Sequence, residues 1–359
     1  MSAARNSDGG GPAPGAPLLH VIILNWRRWR DTIACLDSVF GSDYPNFRVV
    51  VCDNDSQDGS LARIRDWAAG RPACPVAGPG AGAAPPAASG CVPKPIAVVE
   101  AGPLEPGTPA GAQEHDTPLI LIQTGENRGF SGGCNVGIAE ALARGADYVF
   151  LLNNDAVAET ATFRHLLAVA RQSGAAIVGA RLQQEFPDAG HMWPALLFGG
   201  GAVRRGAGDD EAFWATNLAN GCAMLIRRDL LVARFAECGY YLDPDYFMYL
   251  ETEDLALYAG ARGYGCVIAR DAVVHHAIAQ SSGGKFNPRS FYYFTRNRIL
   301  LANRWLDARW KLLFHAYYIP SRLLLLTLGV RRWRWRTVQA VGSGLIDGYL
   351  GGRGKWKHH

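Results

Sequence analysis

Two hydrophobic periods alternate along most of this chain. Leu19 to Leu24 is an apolar run of strand length, which reads as a parallel strand buried on both faces. Ile33, Leu36, Val39 and Phe40 then recur at helical spacing, with Asp31 placed to cap them. Arg48 to Cys52 repeats the strand pattern and ends at Asp53, Asn54 and Asp55, and Leu61, Ile64 and Trp67 mark a second helix. Further strands are expected at Leu119 to Gln123, Tyr148 to Leu152, Ala175 to Val178 and Cys222 to Ile226, with a helix through Ile138 and Leu142. Strands and helices in this alternation predict an α/β fold, a largely parallel sheet covered by helices on both faces.

The pattern lapses in three places. Residues 1–17 read as a disordered leader, and residues 70–117 are rich in Pro, Gly and Ala with little periodicity, as in a low-complexity insertion. From about residue 290 the chain turns helical, so residues 18–285 are expected to form the main domain and 286–359 a C-terminal helical region. Leu312 to Val330 is strongly apolar, but His315, Pro320 and Arg322 interrupt it and disfavour a membrane-spanning helix. Arg331, Arg332, Arg334 and Arg336 alternate with Trp333 and Trp335 beyond it. Trp favours the depth of the membrane interface and Arg meets anionic headgroups, so a helix lying in that interface is one reading. An internal packing helix with a solvated basic end is the other.

Composition narrows the class. With 359 residues, 48% of them hydrophobic, the chain can bury a large core plus an appendage. A formal net charge of +4 is too mild to imply a nucleic-acid partner. The eight cysteines, at 35, 52, 74, 91, 134, 222, 238 and 266, form no CxxC pair, which points away from zinc and towards a reduced, cytosolic compartment. A Gly/Pro/Ala-rich leader without a basic stretch does not read as a signal peptide.

Candidate chemistry gathers after the predicted strands, where ligands of parallel α/β sheets collect. Asn153, Asn154 and Asp155 are three oxygen-bearing side chains in a row, suited to a hard divalent cation, although Asp after a strand is also a common turn or cap residue. Asp53, Asp55 and the turn from Asn127 to Gly133 follow earlier strands, and the turn lacks GxGxxG, so a dinucleotide or P-loop reading is weak. Glu251, Glu253 and Asp254 stand inside an aromatic and aliphatic run; they suit a helix dipole, or a general base acting on a hydroxyl. His275 and His276 follow a further strand, and a neutral imidazole there is either a core residue or a partner for Asp155 at a metal.

Taken together, VIILNW (21–26), TIACLDSV (32–39), YPNFRVVVCDNDSQDGS (44–60), ENRGFSGGCNVGI (126–138), YVFLLNND (148–155), YFMYLETEDL (246–255) and YYFTRNRIL (292–300) resemble the family 2 inverting glycosyltransferases, especially the bacterial rhamnosyltransferase-like branch. The resemblance implies the GT-A nucleotide-diphospho-sugar transferase fold with a C-terminal helical extension. It implies a dTDP- or UDP-sugar donor, rhamnose favoured, a glycan or lipid-linked acceptor, and Mn²⁺ or Mg²⁺. By position it puts Asn25, Asp53, Asp55, Asn127, Gly129, Gly132, Asn135, Asn153 and Asn154 around the donor, with Arg296 and Arg298 meeting diphosphate or an anionic acceptor. Asp155 and His276 match metal ligands, and Glu251 matches the base. Thr252 stands where the branch usually has a second acid, which leaves Asp254 and Glu253 as other candidates for the base. It also leaves open a catalytically silent binding subunit. A cytoplasmic enzyme at the inner face of the plasma membrane is the expected setting, with an anionic membrane surface as a partner.

Overall fold

Residues 15–71, 92–108, 117–182, 211–276, 287–331 and 335–357 are described by the computed structural model of this chain. The apolar runs form the middle of one ten-stranded sheet in the order β3-β4-β2-β1-β5-β9-β7-β10-β6, with β8 paired to β10. The central strands are β1 (Leu19–Asn25), β2 (Phe47–Asp53), β4 (Leu119–Gln123) and β5 (Tyr148–Asn153), all running parallel, with β3 (Val98–Ala101) parallel at the edge. β7 (Ile177–Leu182) and β10 (Cys266–His276) are parallel to one another, while β9 (Ala223–Arg227) lies antiparallel between β5 and β7.

The two-sided burial read from the sequence has a direct cause. Val21 and Ile23 point into one core with Cys35, Leu36 and Val39 of α1 (Trp29–Phe40) and with α4 (Thr162–Ser173). Ile22 points into the other, beneath α3 (Gly129–Ala143) and α6 (Glu251–Ala261). Successive side chains of a strand leave opposite faces, so a strand covered twice must be apolar throughout. Helix α3 lies close on β1 because a Cβ at Gly137 would come within 2.5 Å of Ile22 Cγ2. α2 (Ser60–Ala68) and α5 (Arg228–Cys238) complete the cover of the sheet.

Several details differ from the sequence reading. Asp31 is not the cap of α1: Arg28 holds that position, and Asp31 sits in the first turn, 3.0 Å from Arg28 Nε. β3 lies inside the stretch 70–117, where only Val98 and Val99 among four residues are strongly strand-forming. β6 (Ala156–Ala158) and β8 (Phe213–Ala215) are three residues each, too short for any period to register. β10 runs unbroken through a register shift between Ala269 and Val273 and includes His275 and His276, which were expected to follow the strand. Residues 1–14, 72–91 and 109–116, with Cys74 and Cys91, lie outside the described residues, as do Arg332, Trp333 and Arg334.

The C-terminal helical region consists of α7 (Pro288–Trp305), α8 (Ala308–Arg331) and α9 (Trp335–Leu350). Asn287 caps α7, its Oδ1 accepting the Arg289 N–H at 3.0 Å, and Pro288 occupies a first-turn position where no N–H is needed. Phe247, Tyr292, Tyr293, Ala340 and Trp356 pack as one cluster, which fastens α7 and α9 to the loop before α6. Among the described residues, no helix is long and apolar enough to cross a membrane.

Candidate active site

A crevice of about 660 Å³ opens at the carboxyl ends of β1, β2 and β5. That is room enough for a nucleotide sugar. Of the residues singled out from the sequence, Asn127, Gly129, Asn153, Asn154, Glu251, Glu253 and His276 line it. Gly129 is forced: its φ is +70°, and a Cβ there would meet the Phe247 carbonyl oxygen at 2.2 Å.

Beneath the lining runs a buried chain of hydrogen bonds. Asn25 Nδ2 donates to Asp53 Oδ1 (2.5 Å), Thr32 Oγ1 donates to Asn25 Oδ1 (2.8 Å), and Asn154 Nδ2 donates to Thr32 Oγ1 (3.1 Å). Asp53 also accepts the Ser56 N–H at 3.0 Å. Asn25 and Asp53 therefore lie under the floor rather than on it. The neighbour between the two acids reaches the crevice instead: Asn54 donates to Asn127 Oδ1 (3.2 Å) and to the Gly129 carbonyl (3.0 Å). Asp53 is the last residue of β2 and Asn54 the first beyond it, where the chain leaves the sheet for the turn. Asp55 turns aside with a φ of 60° and accepts from Gln57 Nε2.

Glu251 opens α6, directly after three left-handed non-glycine residues, Phe247, Tyr249 and Leu250, with φ of 62°, 67° and 71°. Each such backbone costs about 1–3 kcal/mol and persists only where its surroundings enforce it. Two α7 residues do so here. Asn297 Nδ2 donates to the carbonyls of Tyr246 (3.1 Å), Met248 (2.8 Å) and Tyr249 (2.8 Å), and Arg296 Nη2 donates to those of Asp245 and Tyr246 (both 2.8 Å). Arg296 is wholly buried, so its charge does not face the crevice and the expected contact with diphosphate is corrected to a clamp on this loop. Arg298 is also away from the crevice, turned towards Tyr318 and Arg322.

The three acids of α6 separate by environment. Asp254 is fully buried, paired with Arg234 and with Arg304 (3.0 Å), and accepts from Trp305 Nε1 at 2.7 Å. With both oxygens engaged by cations it is a counter-ion, not an available base, and it does not line the crevice. Glu253 lines the crevice and accepts from Thr252 Oγ1 at 3.0 Å; burial raises its pKa. Glu251 is 5% exposed, and among the described residues its Oε2 has no hydrogen-bond partner. Burial first, and then Glu253, push its pKa from 4.5 up to about 8.

On the opposite side, His276 Nε2 is 3.2 Å from Asp155 Oδ1 and 3.4 Å from Asn153 Nδ2. A protonated Nε2 would donate to the Asp155 carboxylate, whereas a neutral, unprotonated Nε2 could accept the Asn153 amide N–H or bind a metal ion. Carboxylate oxygen with imidazole nitrogen is a donor set that Mn²⁺ accepts. Among the described residues no group of three or more His, Cys, Asp or Glu assembles as metal ligands. His275 instead contacts Glu159, at 3.0 Å.

Gly132 lies within α3, and Asn135 holds the Leu242 backbone through both its N–H (2.8 Å) and its carbonyl (2.7 Å), so both support the site from outside the lining. The lining also includes Trp26, Trp214, Asn220, Arg289 and Phe294, none of them a candidate from the sequence, although Trp26 and Phe294 fall inside the segments VIILNW and YYFTRNRIL. They come from the residue after β1, β8, the turn before β9, and α7, and they converge only in the fold.

Residues 93–235 match the family model described as Glycosyl transferase family 2. No curated protein matches the chain. Among solved structures, Mannosyltransferase PcManGT from Pyrobaculum calidifontis, in complex with GDP-Man and Mn²⁺, is 16% identical with a TM-score of 0.55, covering 96% of this chain and 90% of its own. TarS 1–349 from S. aureus, in complex with UDP, is 12% identical with a TM-score of 0.50, covering 93% of this chain and 92% of its own. At such identities the likeness shows the fold. The mostly parallel sheet between helix layers is the GT-A fold, and residues 93–235 are similar to the glycosyl transferase family 2.

Proposed function

We propose that this protein is an inverting glycosyltransferase that moves a sugar, rhamnose favoured, from a nucleotide-diphosphate donor to a hydroxyl of a glycan or lipid-linked glycan. The observation that carries the reading is Glu251: a buried carboxyl with an unengaged oxygen, in the same crevice as His276 and with a pKa raised to about 8. A base must take up a proton near working pH, and this environment supplies that property.

In the proposed reaction Glu251 accepts the proton of the acceptor hydroxyl. The oxygen forms a bond to the anomeric carbon as the bond from that carbon to the diphosphate oxygen breaks. The bonding pair leaves with the nucleotide diphosphate, and attack from the opposite face inverts the configuration. Asp155 and His276 would hold the Mn²⁺ or Mg²⁺ ion, whose Lewis acidity offsets charge on the departing diphosphate. Asn127, held by Asn54, offers its amide to the nucleoside end, and Trp26, Trp214 and Phe294 offer apolar faces on which sugar rings could rest.

The GDP-Man and Mn²⁺ of the mannosyltransferase and the UDP of TarS support a metal-assisted nucleotide-sugar donor without choosing among bases or sugars. Rhamnose rests on the sequence resemblance. A panel of dTDP-, UDP- and GDP-sugars, screened by thermal shift with Mn²⁺ and followed by slow release of free sugar, tests the reading. Binding of one donor with turnover supports it. Donor binding with no turnover would favour a silent subunit, the reading that Thr252 keeps in view, and absence of any donor binding would overturn both.

A further inference from the structure

Helix α8 wears its apolar residues on the outside. Between residues 308 and 330, every position classed as exposed is apolar except Arg309 and Thr327. Leu312 is 72% exposed, Leu324 61% and Trp310 52%, whereas Phe314 and Tyr318 alone are buried, against Ile299 and Ala302 of α7. At 100° per residue the two buried rings share one side, and the exposed apolar residues cover the half facing away. α9 adds Trp335, Ile346 and Leu350, the last 82% exposed. A helix surface facing water alone would carry polar residues there, so a surface of this extent has an occupant.

Charge discriminates among the occupants. From Ala308 to Ile346 the sequence contains no Asp or Glu and seven Arg or Lys. A second copy docked about a two-fold axis would set this patch against itself, base against base. A bilayer with anionic headgroups supplies both halves of what the patch lacks, hydrocarbon for Leu and negative charge for Arg and Lys, and Trp and Tyr settle at the boundary between them. We propose that α8 and α9 lie in the interface of an anionic lipid bilayer, in its plane rather than across it. α7, which packs on both, supplies Arg289, Ser290 and Phe294 to the crevice.

The test uses the full chain with sedimented vesicles, without donor or acceptor, so its outcome is separate from that of the transfer reading. Binding to phosphatidylcholine vesicles containing phosphatidylglycerol should exceed binding to pure phosphatidylcholine by about tenfold or more, and should weaken in high salt. Leu312→Glu with Leu324→Glu should lower vesicle binding by a similar factor while leaving the melting temperature unchanged, because both residues are exposed. Equal binding to neutral vesicles would overturn the anionic surface. Failure to bind any vesicle would overturn the proposal outright, and a concentration-dependent dimer abolished by the same pair of substitutions would assign the face to a second copy.

Discussion

Replacing Glu251 by Gln separates catalysis from stability, because the burial that suits the carboxyl to one works against the other. The carboxyl titrates at about 8, against an ordinary value of 4.5. Between those two values the folded chain keeps a proton that the unfolded chain has released. Stability from this group is therefore fully present below 4.5 and is lost as pH rises to 8 and beyond. A shift of this size corresponds to something on the order of 5 kcal/mol across the window. For a chain of 359 residues unfolding near 2.1 cal/mol/K per residue, that is about 6 °C in melting temperature. Gln cannot ionise, so the variant should match the parent at pH 5 and melt about 6 °C higher at pH 9.

Activity should move the other way. At pH 7 a carboxyl titrating at about 8 is ionised about a tenth of the time, and at pH 9 about nine tenths, so kcat/KM should climb roughly tenfold between them. Glu251→Gln should abolish that climb and lower transfer by about 10²–10⁴-fold, with donor affinity retained. The assays are initial-rate transfer and thermal unfolding, each across pH 5–9. A Gln variant that kept the parent's rate and pH slope would refute the base assignment. A melting difference unchanged between the two pH extremes would refute the burial argument behind it.

Asp254→Asn should cost about 3–5 kcal/mol in chemical denaturation by leaving Arg234 and Arg304 with a neutral partner, and any loss of transfer should track unfolding. Asp155→Ala should weaken Mn²⁺-dependent donor binding, read by calorimetry with and without chelator, by about tenfold or more, ~1.4 kcal/mol, while leaving the melting temperature of the ligand-free chain nearly unchanged. His20→Leu should stabilise the chain by about 1–2 kcal/mol, because neither ring nitrogen has a hydrogen-bond partner among the described residues. Burial beside Arg48 and Arg144 holds that imidazole at about 3, below 6.5, so the parent loses stability from it as pH falls through that window and the Leu variant should resist acid further.

What the one-dimensional pattern determined was the main strands and the place of the chemistry along them. Runs such as Leu19 to Leu24 fit strands covered by helices on both faces, and where such strands run parallel the polar residues at their carboxyl ends emerge together at one edge. Asn153 and Asn154 are accordingly in the crevice. The fold alone decided the direction of each side chain and the partners it met. Asp53 and Asn54 are neighbours in sequence, yet one is beneath the floor and the other on it. Arg296 read as a cation for phosphate, but the strained turn after Tyr246 left carbonyl groups unpaired by any ladder, and a buried guanidinium answers them. Glu251 and Asp254 share one helix and similar burial, and what sets them apart is that Arg234 and Arg304, 20 and 50 residues away, pair with Asp254. Local sequence sets period and composition; the charge state of a buried group depends on what distant segments bring beside it.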